Sequence, residues 1–187
     1  MPVSAHDIAA ELRARRPGLP AKKLHKLLYY CQGHHLAVHG EPLFTETIEA
    51  WDMGPVVAEL WRAEKYDNLT PPRQELGEAE LNTIGYTLSR YGALTGTDLE
   101  ILSHGEEPWL TANRSRRPGD SIPLDPEVIT RYFRSNTSAE SDESALNKEM
   151  VSKWLADTAS RPIERGRALS REELAAEFAA SEARLGG

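Results

Sequence analysis

The sequence predicts a mainly α protein: a compact multi-helix domain with at most a short β element, followed by a C-terminal helical extension. Three observations lead there. Apolar residues recur three and four positions apart through most of the chain, which is the period of a helix with one buried face. Capping signatures, Ser4 with Asp7 and Ser170 with Glu173 among them, stand where such runs begin. Strand-like residues in partial alternation are confined to one short stretch.

Ser4 is placed to cap a first helix, with Val3 and Ile8 spaced as a hydrophobic staple and Ile8 and Leu12 on the buried stripe. Pro17-Gly18-Leu19-Pro20 closes it. The second helix is the clearest: Pro20 fits its first turn, Leu24, Leu27, Leu28, Cys31 and His35 line one face, and Gly40 stops it. From Pro42 to Trp51 the residues Thr45, Thr47, Ile48 and Trp51 suit either a short strand or an extended arm. Gly54-Pro55 reads as the start of a third helix, with Pro55 at its first position and Val56, Val57, Leu60 and Trp61 as its apolar side. Pro71-Pro72 marks a loop, and a fourth helix is expected from about Glu78 to Tyr91, with Gly92 as its stop. A fifth starts at Thr95 or Thr97, each with an acid three residues on. Pro108-Trp109 begins a short turn, and Asp125-Pro126 opens a helix through Ile129, Tyr132 and Phe133.

Composition changes at residues 135–144, a polar run read as a linker between a main domain over 1–134 and an extension over 145–187. In the extension, Leu146, Met150, Val151, Trp154 and Leu155 make one helical stripe, and a final helix carries Phe178.

A chain of 187 residues buries roughly 70% of the surface its unfolded form exposes, so neither disulfides nor a metal are needed for folding. The net charge of −7 argues against a mainly electrostatic grip on nucleic acid and suits a partner with a basic surface. Cys31 is the single cysteine, which favours a reducing compartment. The first residues, Met1 to Asp7, lack a secretory pattern. No apolar run approaches the roughly 20 residues that span a bilayer. A cytoplasmic protein is expected.

Cys31, His34, His35 and His39 crowd one helix and invite a metal reading, yet one helix supplies only two or three ligands with good geometry. His25 and His104 complete a set only if the fold brings them near. Core or hydrogen-bonding roles are expected instead, with no metal and no cofactor. His104, Glu106 and Glu107 stand together before Pro108-Trp109. An imidazole beside a carboxylate suits acid–base work, though such clusters more often cap a helix and tie a loop. No nucleophile elbow, phosphate loop or dinucleotide fingerprint is present, so no catalytic residue is assigned and the chain is not expected to be an enzyme. Arg114, Arg116 and Arg117 form the compact basic run, suited to a solvated loop or to an acidic patch on a partner. Of Trp51, Trp61, Trp109 and Trp154, the last is the expected interface anchor, because buried tryptophans tend to dominate binding energy.

Several ordered blocks over residues 20–134 resemble one known family. They are the run Lys23-Leu24-His25-Lys26-Leu27-Leu28-Tyr29-Tyr30-Cys31-Gln32-Gly33-His34-His35-Leu36, then Gly40 to Phe44, Ile48 to Val57, Tyr91 to Leu94, Leu99 to Trp109 and Ile129 to Phe133. This series resembles the Panacea, or SocA-like, antitoxin domain. The motif positions it marks here are Tyr30, Gln32, Gly33, His35, Trp51, Gly54, Pro55, His104, Glu107 and Trp109. Cys31 and His34 depart from the family's usual alanine and tryptophan, which weighs further against a metal site there. The resemblance implies a mostly helical antitoxin, sometimes prophage-associated, that binds a cognate protein toxin. Toxin classes in the family vary and include alarmone-synthetase-like enzymes. It also implies a second mode, a proteolytic adaptor that delivers the toxin to a cytoplasmic AAA+ protease. Transcriptional autoregulation is a further reading, but the acidic balance and the lack of an evident helix-turn-helix with basic recognition residues tell against it. Homo- or hetero-oligomers are compatible with it, whereas membrane and nucleic-acid partners are not expected. A common core with varied partners suggests a rigid platform plus a variable element. Here Trp154, Leu155 and Phe178 of the extension, with Arg116 and Arg117, are the candidate toxin contacts.

Overall fold

The computed structural model describes residues 3–66 and 73–136. The chain divides into two units, Met1–Asp142 and Glu143–Gly187, and every described residue belongs to the first. Among the described residues seven helices and three short strands follow in order: α1 (Ala5–Arg15), α2 (Ala21–His39), β1 (Ile48–Trp51), β2 (Gly54–Val57), α3 (Ala58–Lys65), α4 (Glu78–Tyr91), α5 (Gly96–His104), α6 (Glu107–Asn113), β3 (Ile122–Pro123) and α7 (126–136). The fold is mainly α, as the periodicity predicts.

Local chemistry sets several boundaries. At α1 the capping box is complete: Ser4 Oγ accepts from the backbone N–H of His6, and the Asp7 carboxylate accepts from that of Ser4. Helix α4 runs over the predicted residues. Thr95, rather than Thr97, caps α5, because its hydroxyl and the Asp98 carboxylate exchange bonds with each other's backbone N–H. Gly40 ends α2 in the left-handed conformation at φ 74°, where a side chain is strained.

Two expectations are corrected. Gly54-Pro55 does not start a helix. Gly54–Val57 is a strand that pairs antiparallel with Ile48–Trp51 across a two-residue turn, Asp52-Met53, and α3 begins only at Ala58. Proline suits the first turn of a helix and also an edge strand, since both leave its missing N–H unneeded. β2 is at the edge of the sheet order β2-β1-β3, and pairing there buries all four of its residues. Pro108-Trp109, read as a short turn, belongs to the two-turn helix α6 with Pro108 in its first turn.

The core centres on α2. Periodicity predicts a single buried face, but every residue from Leu24 to Leu36 is buried. α1, α4, α5 and β2 all pack against this helix, and α7 reaches it through Phe133. The Phe133 ring lies so close to Gly33 that a Cβ there would come within 2.4–2.6 Å of it. Gly33 is therefore a contact residue by virtue of having no side chain. Gly33→Ala is expected to lower unfolding free energy by about 1–3 kcal/mol, the usual cost of overpacking a core. Adding Phe133→Leu should recover part of the loss. Urea unfolding of both variants checks this, and an unchanged midpoint for Gly33→Ala would refute the close packing.

Candidate functional site

A helix buried all round must find partners for each polar side chain it carries, and on α2 those partners come from distant parts of the chain. Gln32 bridges to the segment before β1: its amide donates to Phe44 O at 3.0 Å, and its oxygen accepts from the N–H groups of Leu43 and Phe44. His35 Nδ1 lies 2.8 Å from Thr83 Oγ1 and His34 Nε2 lies 3.0 Å from Tyr91 Oη, both on α4. Burial draws the His34 imidazole down to about 4. It also pushes the Cys31 thiol up to about 12, so the thiol is held protonated at neutral pH. Among the described residues no group of three or more His, Cys, Asp or Glu is arranged to hold a metal.

Tyr29 and Tyr30 both donate to the Glu106 carboxylate, at 2.6 and 3.0 Å. Tyr30 stacks on Tyr91, and both α2 tyrosines meet Phe133 edge-on. Burial raises Glu106 from the usual carboxylate range to about 7, opposed by the two hydroxyl donors. The neighbouring members of the acid–base trio point elsewhere. His104 stacks on Trp109 with ring centroids 4.0 Å apart, and the exposed Glu107 pairs with Arg131 at 2.6 Å. His104, Glu106 and Glu107 thus serve three separate contacts.

The N-terminal part of α2 forms the floor of a cleft of about 470 Å³, within the range of ligand pockets. His25 and Lys26 lie on this floor, the β1–β2 turn and Trp61 of α3 supply the walls, and Gly119-Asp120-Ser121 closes one side. Lys26 is 1% exposed and donates to Pro55 O at 3.1 Å. Burial lowers its ammonium to about 8, with Glu100 pulling the other way. The backbone of Gly54 passes directly over it: a Cβ there would stand 2.8 Å from Lys26 Cε, and φ is +94°. Both facts require glycine at this motif position, while Pro55 supplies the acceptor carbonyl. His25 Nδ1 accepts from the Val57 N–H at 3.4 Å, and burial brings its pKa to about 4, so the ring is neutral at neutral pH.

Trp51 and Trp61 meet edge to face at 5.0 Å. Trp51 Nε1 donates to Ser121 Oγ at 2.7 Å and to Glu49, and the Ser121 hydroxyl donates to Glu49 in turn. Trp109 Nε1 donates to Trp51 O at 3.3 Å and so braces the same wall from behind. Arg116 donates to Asp52 at 2.6 Å, and Gly119 N–H donates to the other Asp52 oxygen. These bonds, the Arg116 one foremost, hold the Asp52 carboxyl below its usual range. The Arg116 side chain is only 6% exposed, so this arginine is committed within the domain, whereas Arg117 is exposed. Trp154, Leu155 and Phe178 lie outside the described residues.

Eight of the ten motif positions separate into two groups: Tyr30, Gln32, Gly33 and His35 tie α2 into the core, while Trp51, Gly54, Pro55 and Trp109 shape the cleft. His104 stacks on Trp109, and Glu107 pairs with Arg131. Sequence reading missed Lys26 and weighed Trp61 only as a core residue. A lysine held between Leu24 and Leu27 was a signal, legible only once α2 is known to have no solvent face.

The domain is thus mainly α, with its central helix fixed by long-range polar contacts and a tryptophan-walled cleft at one end. Residues 24–110 match the family described as antitoxin SocA-like, Panacea domain. No curated protein and no solved structure gives a significant match. None of the described helices is long and apolar enough to cross a membrane.

The raised pKa of Glu106 makes a signed prediction. Between about pH 4.5 and 7 the folded protein holds a proton there that the unfolded chain has lost, so this group's contribution to stability falls as pH rises through that window. His25 and His34, drawn down to about 4, act the other way, their contribution falling as pH drops below their unfolded value. Comparing Glu106→Gln with the parent removes the histidine terms. The variant's relative stability should climb from pH 4.5 to 7 by up to roughly 3 kcal/mol and level off above. A flat difference across that range in urea unfolding would refute the buried, desolvated carboxylate.

Proposed function

We propose that this chain is the antitoxin of a bacterial toxin–antitoxin pair and neutralises its toxin by binding it directly. The observation that carries the reading is the family match over residues 24–110. The cleft supports it, since both tryptophans, Met53, His25 and Lys26 fall inside that stretch. Apolar side chains left open to solvent at Met53, Ile101, Leu102 and Leu110 also suit a protein partner. A net charge of −7 favours encounter with a basic surface. In this reading the main domain is the platform, and the segment beyond residue 136, with Trp154, Leu155 and Phe178, adds contacts that select the toxin.

Co-expression with the product of the adjacent gene, scored for growth rescue and co-purification together, tests the reading. Rescue with a stable complex is the expected result. Rescue in which the toxin disappears, and which is lost in a host lacking its AAA+ proteases, would replace sequestration with delivery. Removing residues 137–187 should abolish rescue while leaving a cooperatively unfolding domain. Full rescue by the shortened chain would refute the role given to Trp154, Leu155 and Phe178.

A further inference from the structure

The hydrogen bonds inside the cleft reveal what it lacks. A neutral imidazole carries one proton. His25 Nδ1 accepts from the Val57 N–H, so the proton sits on Nε2. That Nε2–H is buried and has no partner. An unmatched buried donor is destabilising until something supplies an acceptor. Lys26, the next residue of α2, has three donor protons on Nζ and bonds to one acceptor, Pro55 O. Of the other charged groups of the cleft, Lys22 pairs with Glu100, Asp52 with Arg116 and the Gly119 N–H, and Asp120 accepts from the Arg117 N–H. The unmet hydrogen-bonding capacity of the floor therefore consists of donors, set beneath the apolar walls of Trp51, Trp61 and Met53.

We propose that this cleft is a docking site on the antitoxin for an apolar segment of its toxin, one that brings a peptide carbonyl or carboxylate oxygen to His25 Nε2 and Lys26 Nζ. This rests on the antitoxin reading and adds which surface binds and what chemistry it selects. An apolar segment fits the walls, and an acceptor fits the floor. A protein supplies both in one chain, because every peptide unit carries a carbonyl. Met53, 53% exposed at the turn, places an apolar side chain at the mouth where such a segment enters.

The test uses the full-length protein and the adjacent-gene product. Met53→Asp puts a charge at the mouth and is expected to weaken binding at least about tenfold, and Lys26→Met about tenfold. Val38→Asp, at an exposed site about 18 Å further along α2, is the control and should bind as the parent does. Because Lys26 is buried, thermal unfolding of each variant accompanies the affinities. A readout independent of any variant comes from nitrogen-15-labelled histidine in the parent protein. The His25 Nε2–H resonance is expected to shift downfield and to become protected from exchange when partner is added. Absence of a parent complex would overturn the antitoxin reading and this inference with it. A parent complex with an unchanged His25 resonance, or with full affinity in Met53→Asp, would overturn the docking site alone.

Discussion

Burying a helix on every side strips water from all the polar groups it carries, and α2 carries His25, Lys26, Tyr29, Tyr30, Gln32, His34 and His35 between Leu24 and Leu36. Each needs a partner in place before the helix can be covered. Those partners are spread over the segment before β1, strand β2, helix α4 and the start of α6. The surrounding elements are thereby fixed in position as well as in number. An apolar helix would tolerate sliding or rotation by a turn. This one does not, because a shift would break several hydrogen bonds at once. His34 fits the same rule, since its imidazole meets the Phe133 ring edge-on and has a polar contact with Tyr91.

The same requirement explains how the cleft forms. Lys26 needs an acceptor, β2 offers the Pro55 carbonyl, and Gly54 lets the strand come close enough to deliver it. Once the hairpin is seated there, Trp51 projects beside Trp61, and the Arg116–Asp52 pair ties the loop before β3 onto the turn. One end of α2 is in this way built around a structural need, and the leftover donors beneath the tryptophans follow from it. The other end is closed by the aromatic packing of Phe133 on Gly33 and the two tyrosines.

How much of this the sequence shows depends on the range of the interaction. Helix caps are local, so Ser4, Asp7 and the limits of α4 are legible directly. Pro55 is ambiguous locally because a helix start and an edge strand leave the same N–H unused. Only pairing with Ile48–Trp51 decides between them. The apolar stripe of α2 is visible in the spacing of its leucines, but burial of its opposite face is not. The residues that permit it, Thr83, Tyr91 and Glu106, lie 48 to 77 positions away. Glu106 in particular looks like half of an acid–base pair with its sequence neighbours, and its true partners are tyrosines on another helix.

The distance from Tyr29 to Glu106 also sets a clock. Seventy-seven residues separate them, and ribosomes add roughly 5–20 residues per second. For several seconds after α2 emerges from the ribosome, its tyrosines have no carboxylate to bind, and its leucines wait for the helices that will cover them. Contacts of such long range also slow the search for the native pairing. A newly made chain therefore passes through an interval in which its central helix has been made but the residues that cover it have not.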